Sequence, residues 1–430
     1  MKVYFETLGC PKNFNDTEVA KGILIENEYE IVSSPDEADT IVINTCGFIN
    51  DAKKESINTI FEMSEYEGKK IVVSGCLSER YHEDLLKEMP EVDLFLGVNE
   101  YENLPKLLNE KGDKVTGVYE KTLALLPRKL DDNPYSATLM ISEGCDNRCA
   151  YCVIPSIRGG FRSKKMEDCI KEAEMLAKKG TKELILIAQD LTNYGTDIYG
   201  EFKLHELVTE LSKIDGIEWI RLMYCYEDRI TDELIDVIAE NKKVCHYIDI
   251  PIQHASDNVL KGMFRRSTRA SIENTISRLR AKVPDIAIRT TLIVGFPGET
   301  DDDFFELVDF VEKEKFARLG VFAYSQEEGT PAGDRPDQID EEIKQERLDK
   351  IMRTQLEISL ENNKALVGTS LEVIIDDLED ENTYIGRTKY DAPEIDNSVI
   401  FKSFVKHEIG DIVTVLIQDA FDYDLVGVEQ

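Results

Sequence analysis

The sequence predicts an α/β protein in three parts, and three observations predict it. Residues 1–120 alternate short apolar strands with helical periods, the pattern of a parallel α/β domain. Six apolar strands between 137 and 325 alternate with helices, which means right-handed βαβ units and a partial (βα)6 barrel. After residue 371, five short β-type runs crowd into roughly sixty residues, the texture of a small OB-like β-barrel. The stretch 121–136, with Pro127, Pro134 and the Asp131-Asp132-Asn133 turn, reads as a linker. The expected parts are therefore 1–120, 137–364 and 365–430.

In the first part the expected strands are 3–7, 40–44, 70–74 and 92–96. Helices are expected at 16–28, with Val19, Ala20, Ile23 and Leu24 on one face, and at 52–65. Cys10, Cys46 and Cys76 each follow one of the first three strands, and each has a neighbouring glycine: Gly9, Gly47 and Gly75. Parallel strands put their carboxyl ends along one edge, so thiols distant in sequence can converge there. Glycine lets the backbone turn tightly and approach a bulky ligand. Two readings are open. These are three unrelated buried thiols, since free Cys is commonly buried, or they are ligands of an iron–sulfur cluster with one iron left open. Their recurrence at three strand ends favours the cluster.

The stretch 144–152 carries Cys145, Cys149 and Cys152 at intervals of four and three residues, just after the expected strand 137–142. Here a strand hands over to a helix, where parallel α/β folds place their chemistry. Three thiolates hold three irons of a cubane that normally takes four. The open iron is then a place to bind and reduce a small molecule. The competing reading is structural zinc, which wants four ligands, usually as two pairs; no second pair and no nearby His follows this loop.

The remaining strands of the middle part are expected at 183–188, 219–224, 247–250, 287–294 and 319–324. The helices between them are expected at 204–214, 231–240, 271–283 and 301–315. Gln189, Gln253, His254 and Gly295 stand at strand ends, where barrels build active sites. Singly, each could equally be a solvated loop residue. Gly295 and Gly298 would let backbone approach a nucleoside. Cys169, in a helical pattern, Cys225, in a strand, and Cys245 are expected to be structural thiols. His82, His205 and His407 suggest no role.

The chain has 430 residues and a net charge of -34. Such acidity repels polyanions such as RNA at long range and steers basic partners in, besides favouring solubility. Abundant Glu and Lys also hint at a heat-adapted source. No run of about eighteen uncharged apolar residues occurs, and the first residues run straight into a strand, so neither a membrane span nor a signal peptide is expected. Nine cysteines with this loop suit a reducing compartment, and the expected location is cytoplasmic.

The loop of Cys145, Cys149 and Cys152, with Tyr151 before the last Cys, resembles the radical S-adenosylmethionine superfamily. Thr7-Leu8-Gly9-Cys10-Pro11-Lys12-Asn13, Asn44-Thr45-Cys46-Gly47-Phe48-Ile49 and Ser74-Gly75-Cys76-Leu77 resemble the amino-terminal domain of its methylthiotransferase family. Pro251-Ile252-Gln253-His254-Ala255-Ser256 and Val294-Gly295-Phe296-Pro297-Gly298-Glu299-Thr300 resemble further stretches of that family, so the likeness covers essentially the whole chain. It implies a TIM-like radical-SAM barrel strapped by a helix over 337–364, followed by a TRAM domain. It implies two [4Fe-4S] clusters. One, on Cys145, Cys149 and Cys152, cleaves S-adenosylmethionine; the other, on Cys10, Cys46 and Cys76, holds sulfur. It implies that Tyr151 lies near the adenine and adds weight to Gln189, Gln253, His254 and Gly295 as contacts of S-adenosylmethionine.

The stretches around Cys10 and Cys46 are most similar to the branch that adds a methylthio group to the β-carbon of an aspartate in a small-subunit ribosomal protein. A tRNA adenosine methylthiotransferase with the same two clusters is the alternative. An iron–sulfur electron carrier or scaffold is the alternative of another class, although a carrier needs no six-stranded barrel. From 371 onward there are fifteen Asp or Glu against four Lys or Arg. A nucleic-acid footprint is a basic patch, and this is the reverse. The expected partners are a basic ribosomal protein, free or within the small subunit, and an external electron donor. Direct RNA binding by the acidic barrel is not expected.

Overall fold

The computed structural model describes residues 1–109, 123–130 and 134–430. Of the expected linker, residues 121, 122 and 131–133 lie outside the described residues. The architecture is the expected three-part α/β arrangement.

The first part is a five-stranded parallel sheet in the spatial order Glu30–Ile31, Lys2–Thr7, Thr40–Thr45, Lys70–Gly75, Leu94–Phe95. Thr40–Thr45 is buried along its whole length because helices cover both faces. Its side chains alternate accordingly. Ile41 and Ile43 pack with Ile60 and Met63, while Val42 packs with Val3 and Leu24 on the other face. The first helix, Pro11–Glu26, starts earlier than periodicity suggests. Pro11 stands in its first turn, where a missing N–H costs nothing, and Cys10 is the N-cap. The two-residue edge strand Glu30–Ile31 is too short for any period to reveal.

The middle part is a six-stranded parallel sheet whose strands lie side by side in chain order: Ser136–Met140, Glu183–Ile187, Trp219–Leu222, Val244–Asp249, Ala287–Val294 and Arg318–Ala323. Period-two alternation sets its two faces. Leu184 and Leu186 join the outer helical layer, whereas Ile185 and Ile187 face the concave side. Thr268 and Thr300 close capping boxes on the helices Arg269–Lys282 and Asp301–Glu314. The helix Glu341–Ala365 packs across Asp301–Glu314 and the last strand as a strap. Cys225 lies beyond its strand, not in it. Cys169, Cys225 and Cys245 are all fully buried.

The third part is a closed five-stranded barrel of Ser370–Asp380, Thr383–Thr388, Ser398–Lys402, Asp424–Glu429 and Ile412–Ala420. It plugs the concave sheet at the end where the strands begin. Ile374 and Ala392 pack there with Trp219, Tyr247 and Ala287. Charges lock the same junction: Arg387 meets Glu183 at 2.5 Å, Arg318 meets Asp391 at 2.5 Å, and Arg289 meets Asp396 at 3.4 Å. The other end of the sheet, where parallel barrels carry chemistry, is left to the amino-terminal part.

Candidate active site

Cys10, Cys46 and Cys76 end three strands that are neighbours in the amino-terminal sheet. Their loops are in close contact. A Cβ on Gly9 would stand 2.8 Å from the Cys46 Cβ and 3.1 Å from its Sγ, and one on Gly47 would stand 2.9 Å from the Cys76 carbonyl carbon. Gly75 has φ +96° and no room for a side chain beside Asn44. Polar side chains fix the loops. Asn13 donates to the carbonyls of Leu8 (2.8 Å) and Thr45 (3.1 Å), and the Ser56 hydroxyl bonds both N–H and carbonyl of Cys46 at 3.0 Å. Cys10 is exposed while Cys46 and Cys76 are buried. Burial pushes the Cys46 thiol up to about 11, and pushes Cys76 up as well against the pull of Arg158.

The second triad lies on the loop between the barrel's first strand and the short helix Ile154–Arg158. A two-stranded antiparallel ribbon, Ser142–Glu143 with Arg162–Ser163, clamps the base of this loop; sequence periodicity does not show it. Gly144 has φ +76°, and any side chain there would collide with the carbonyls of Gly159 and Gly160. Cys145 N–H donates to the Gly159 carbonyl at 3.1 Å. The Asn147 amide donates to Cys145 Sγ (3.4 Å) and to Asp190 (2.8 Å), and Asp190 in turn holds Arg229. Ile154 N–H reaches Cys152 Sγ at 3.5 Å, and the Tyr226 hydroxyl lies 3.7 Å from Cys149 Sγ. Burial pushes Cys145 up to about 11 and Cys152 up to about 12.

Thiols raised this far carry their protons at neutral pH. A bound metal centre would displace those protons. Among the described residues no three Cys, His, Asp or Glu side chains stand close enough to hold one metal ion. Each triad is all thiol, the donor set that iron–sulfur clusters take.

One side chain links the regions that carry the two triads. Arg158, at the end of the helix that follows the barrel loop, is 1% exposed and donates to Cys76 Sγ at 3.4 Å. It also binds Asn13 (2.8 Å) and Asp16 (2.6 Å) of the amino-terminal part and Glu143 (3.1 Å) beside Gly144. Lys12 joins the network at 3.0 Å from Glu143. Tyr224, at φ +62° just past the strand Trp219–Leu222, has its phenol pushed up chiefly by burial, with Cys10 adding to the push. Outside this centre, Lys53 and Arg80 both meet the buried Glu327 at 2.9 Å, tying the amino-terminal part to a barrel loop.

The expected cofactor contacts fare unevenly. Tyr151 is half-buried against Val259, Met263 and Phe296, beside the thiol loop. Gln253 is half-buried at φ +71°. The Gln189 side-chain oxygen Oε1 accepts the Gly144 N–H at 2.8 Å, so it orients the thiol loop. His254 departs from expectation. It is fully buried, its Nδ1 accepts the Ser256 N–H at 3.0 Å, and burial drives its imidazole down to about 3, so it is a neutral wall residue away from the cleft surface. Gly295 and Gly298 depart too. The space a Cβ would need is filled by Lys344 and by Arg335 with Asp337, so both positions must stay glycine.

Arg158 escaped the sequence reading, and Asn13 and Asn147 were given no role of their own in it. The one local signal was the Arg158-Gly159-Gly160 ending after the Pro155 helix start, and nothing in it points to a thiol in another part of the chain.

Residues 139–311 match the Radical SAM superfamily, residues 2–97 the uncharacterized protein family UPF0004, and residues 367–428 the TRAM domain. Two solved structures share the fold. The radical S-adenosylmethionine methyltransferase TsrM from Kitasatospora setae aligns with TM-score 0.59 and 15% identity over 77% of each chain. The cobalamin-dependent S-adenosylmethionine radical enzyme OxsB aligns with TM-score 0.54 and 14% identity over 82% of this chain and 56% of its own. The thiol loop and barrel thus fall in the radical SAM class.

Among full-length relatives, the ribosomal protein uS12 methylthiotransferase RimO of Clostridioides difficile (strain 630) is 49% identical over 99% of this chain and 98% of its own. That of Acetivibrio thermocellus is 51% identical over the same shares, and that of Desulforamulus reducens is 48% identical over 98% of each. The chain belongs to the RimO family of ribosomal protein uS12 methylthiotransferases.

Proposed function

We infer that the chain adds a methylthio group to the β-carbon of an aspartate in ribosomal protein uS12. The observation that carries this reading is the pair of thiol triads at two sheet edges, joined by the Arg158–Cys76 contact, in a chain about half identical to uS12 methylthiotransferases over nearly its full length. Cys145, Cys149 and Cys152 would hold one [4Fe-4S] cluster, and Cys10, Cys46 and Cys76 the other. When bound, these clusters with S-adenosylmethionine supply radical cleavage of an unactivated C–H bond and a sulfur to insert there.

The protein's own residues do the positioning. Gln189 and Asn147 set the barrel loop, with Asp190 and Arg229 behind them. Asn13, Asn44 and Ser56 set the amino-terminal loops. Tyr151 and Gln253 are left on the cleft as contacts for S-adenosylmethionine. The working boundaries of the three parts remain 1–120, 137–364 and 365–430.

The acidic third part supports a basic protein substrate. Its hairpin tip carries Asp377, Glu379, Asp380 and Glu381, all exposed. Beside it Phe404 and Val405 are 86% and 60% exposed, on a loop tied to the hairpin by Ser403 N–H on the Asn382 carbonyl. Two of the four cations here are used internally, Arg387 on Glu183 and Lys389 on Glu372. Little positive charge is left for RNA. Among the described residues no helix is long and apolar enough to cross a membrane; we place the enzyme in the cytoplasm with its ribosomal substrate, drawing electrons from an external donor.

The test is anaerobic reconstitution with reductant and S-adenosylmethionine, offering a uS12 peptide and unmodified tRNA side by side. Mass spectrometry should find the methylthio group on the peptide aspartate. Addition to tRNA alone would overturn the substrate assignment.

A further inference from the structure

We propose that Arg158 is a positioning residue that sets the reduction potential of the amino-terminal cluster. The proposal rests on the assignment of Cys10, Cys46 and Cys76 to that cluster. The argument starts from the guanidinium's partners. One terminal nitrogen is taken by Asp16 and Glu143, and the other by Asn13 and Cys76 Sγ. Four partners from two parts of the chain leave the fork no other orientation. Arg is suited to this because its donors are rigid and its charge is permanent.

Lys12 lies 3.0 Å from Glu143 and 3.7 Å from Asp16, and Arg162 lies 3.4 Å from Glu143, so two carboxylates are shared among three cations and do not cancel Arg158. What remains toward the thiol is an N–H···S bond backed by positive charge, between two buried side chains. Hydrogen bonds to cluster sulfurs and local charge are the levers that set cluster potential. Both stabilise the reduced cluster, which is one electron more negative. The barrel thiols meet neutral donors instead: the Asn147 amide, the Ile154 N–H and the Tyr226 hydroxyl. Arg158 therefore makes the sulfur-holding cluster easier to reduce than its own thiols would make it. Because Arg158 grows from the barrel, the potential is set only when the two parts are docked.

The experiment uses the full-length chain with Cys145, Cys149 and Cys152 all replaced by Ala, so that only the amino-terminal cluster is present. Iron is counted, and the one-electron couple is titrated with dithionite and read by electron paramagnetic resonance. Arg158→Gln should lower the reduction equilibrium constant about tenfold, a shift of ~59 mV to more negative potential for a one-electron couple. Arg158→Lys keeps the charge and should fall between. An unchanged potential in Arg158→Gln with iron retained overturns the proposal. Loss of iron from both Arg158 variants also overturns it, in favour of a purely structural arginine. Absence of iron from the chain with Arg158 intact would instead sink the assignment of the second cluster.

Discussion

At the residue scale the two triads should be separable. Cys46→Ala should lose about half the iron and keep S-adenosylmethionine cleavage while losing methylthio product. Cys145→Ala should lose the other half and stop cleavage. Iron analysis and deoxyadenosine release check both; full product from Cys46→Ala would remove the two-site scheme. Glu183 offers a stability prediction. It is fully buried; burial pushes its carboxyl up, but Arg387 and Arg221 outweigh burial and hold it at about 2 against an ordinary 4.5. A folded-state value below the unfolded one gives stability that is full above pH 4.5 and is lost as pH falls toward 2. Glu183→Gln leaves two buried guanidinium groups undercompensated and should cost ~3–5 kcal/mol at pH 7. Urea unfolding should show that gap closing only below pH 4.5.

At the element scale the barrel thiol loop depends on Gly144. Its φ of +76° and the carbonyls of Gly159 and Gly160 forbid a side chain. Gly144→Ala should therefore release the barrel iron and spare the amino-terminal iron, giving roughly half the full content. Equal loss from both sites would mean that the ribbon and loop do not act as a local unit. The helix Asp301–Glu314 is a milder case. Thr300→Ala removes the hydroxyl that accepts the Asp303 N–H at 3.2 Å and should cost ~1 kcal/mol in thermal unfolding, with iron content unchanged.

At the scale of the whole molecule, the barrel is held between two other parts. The amino-terminal sheet covers the end that carries the barrel's thiol loop, and the TRAM barrel plugs the other. A chain ending at Gly368 would strip Arg318 of Asp391 and uncover Trp219 and Tyr247. It should melt well below the full chain, whereas equal melting would show that the plug contributes nothing. The charge of -34 acts over the same scale. Binding of basic uS12 should weaken steeply as salt rises past the physiological range, with the loss mainly in association rate. Stopped-flow measurements at two ionic strengths would decide it.

Much of this was legible in the sequence. Strand and helix order follow from hydrophobic period, which is local. The thiols declared themselves by position, Cys10, Cys46 and Cys76 each at a strand end and Cys145, Cys149 and Cys152 on one loop. Less was legible where partners are remote. His254 sits in a stretch that suggests ligand contact, yet it is walled in beside Ser256 and Glu299. Gly295 suggests a ligand's approach, yet Lys344 of the strap fills its space. The sequence by itself determined the three-part fold, the two cysteine triads and the acidic character of the last barrel, because period, spacing and charge are properties of neighbouring residues. Only the tertiary structure decided that Arg158 lies on Cys76, because that contact joins residues 82 apart through the docking of two sheets, and no local pattern encodes it.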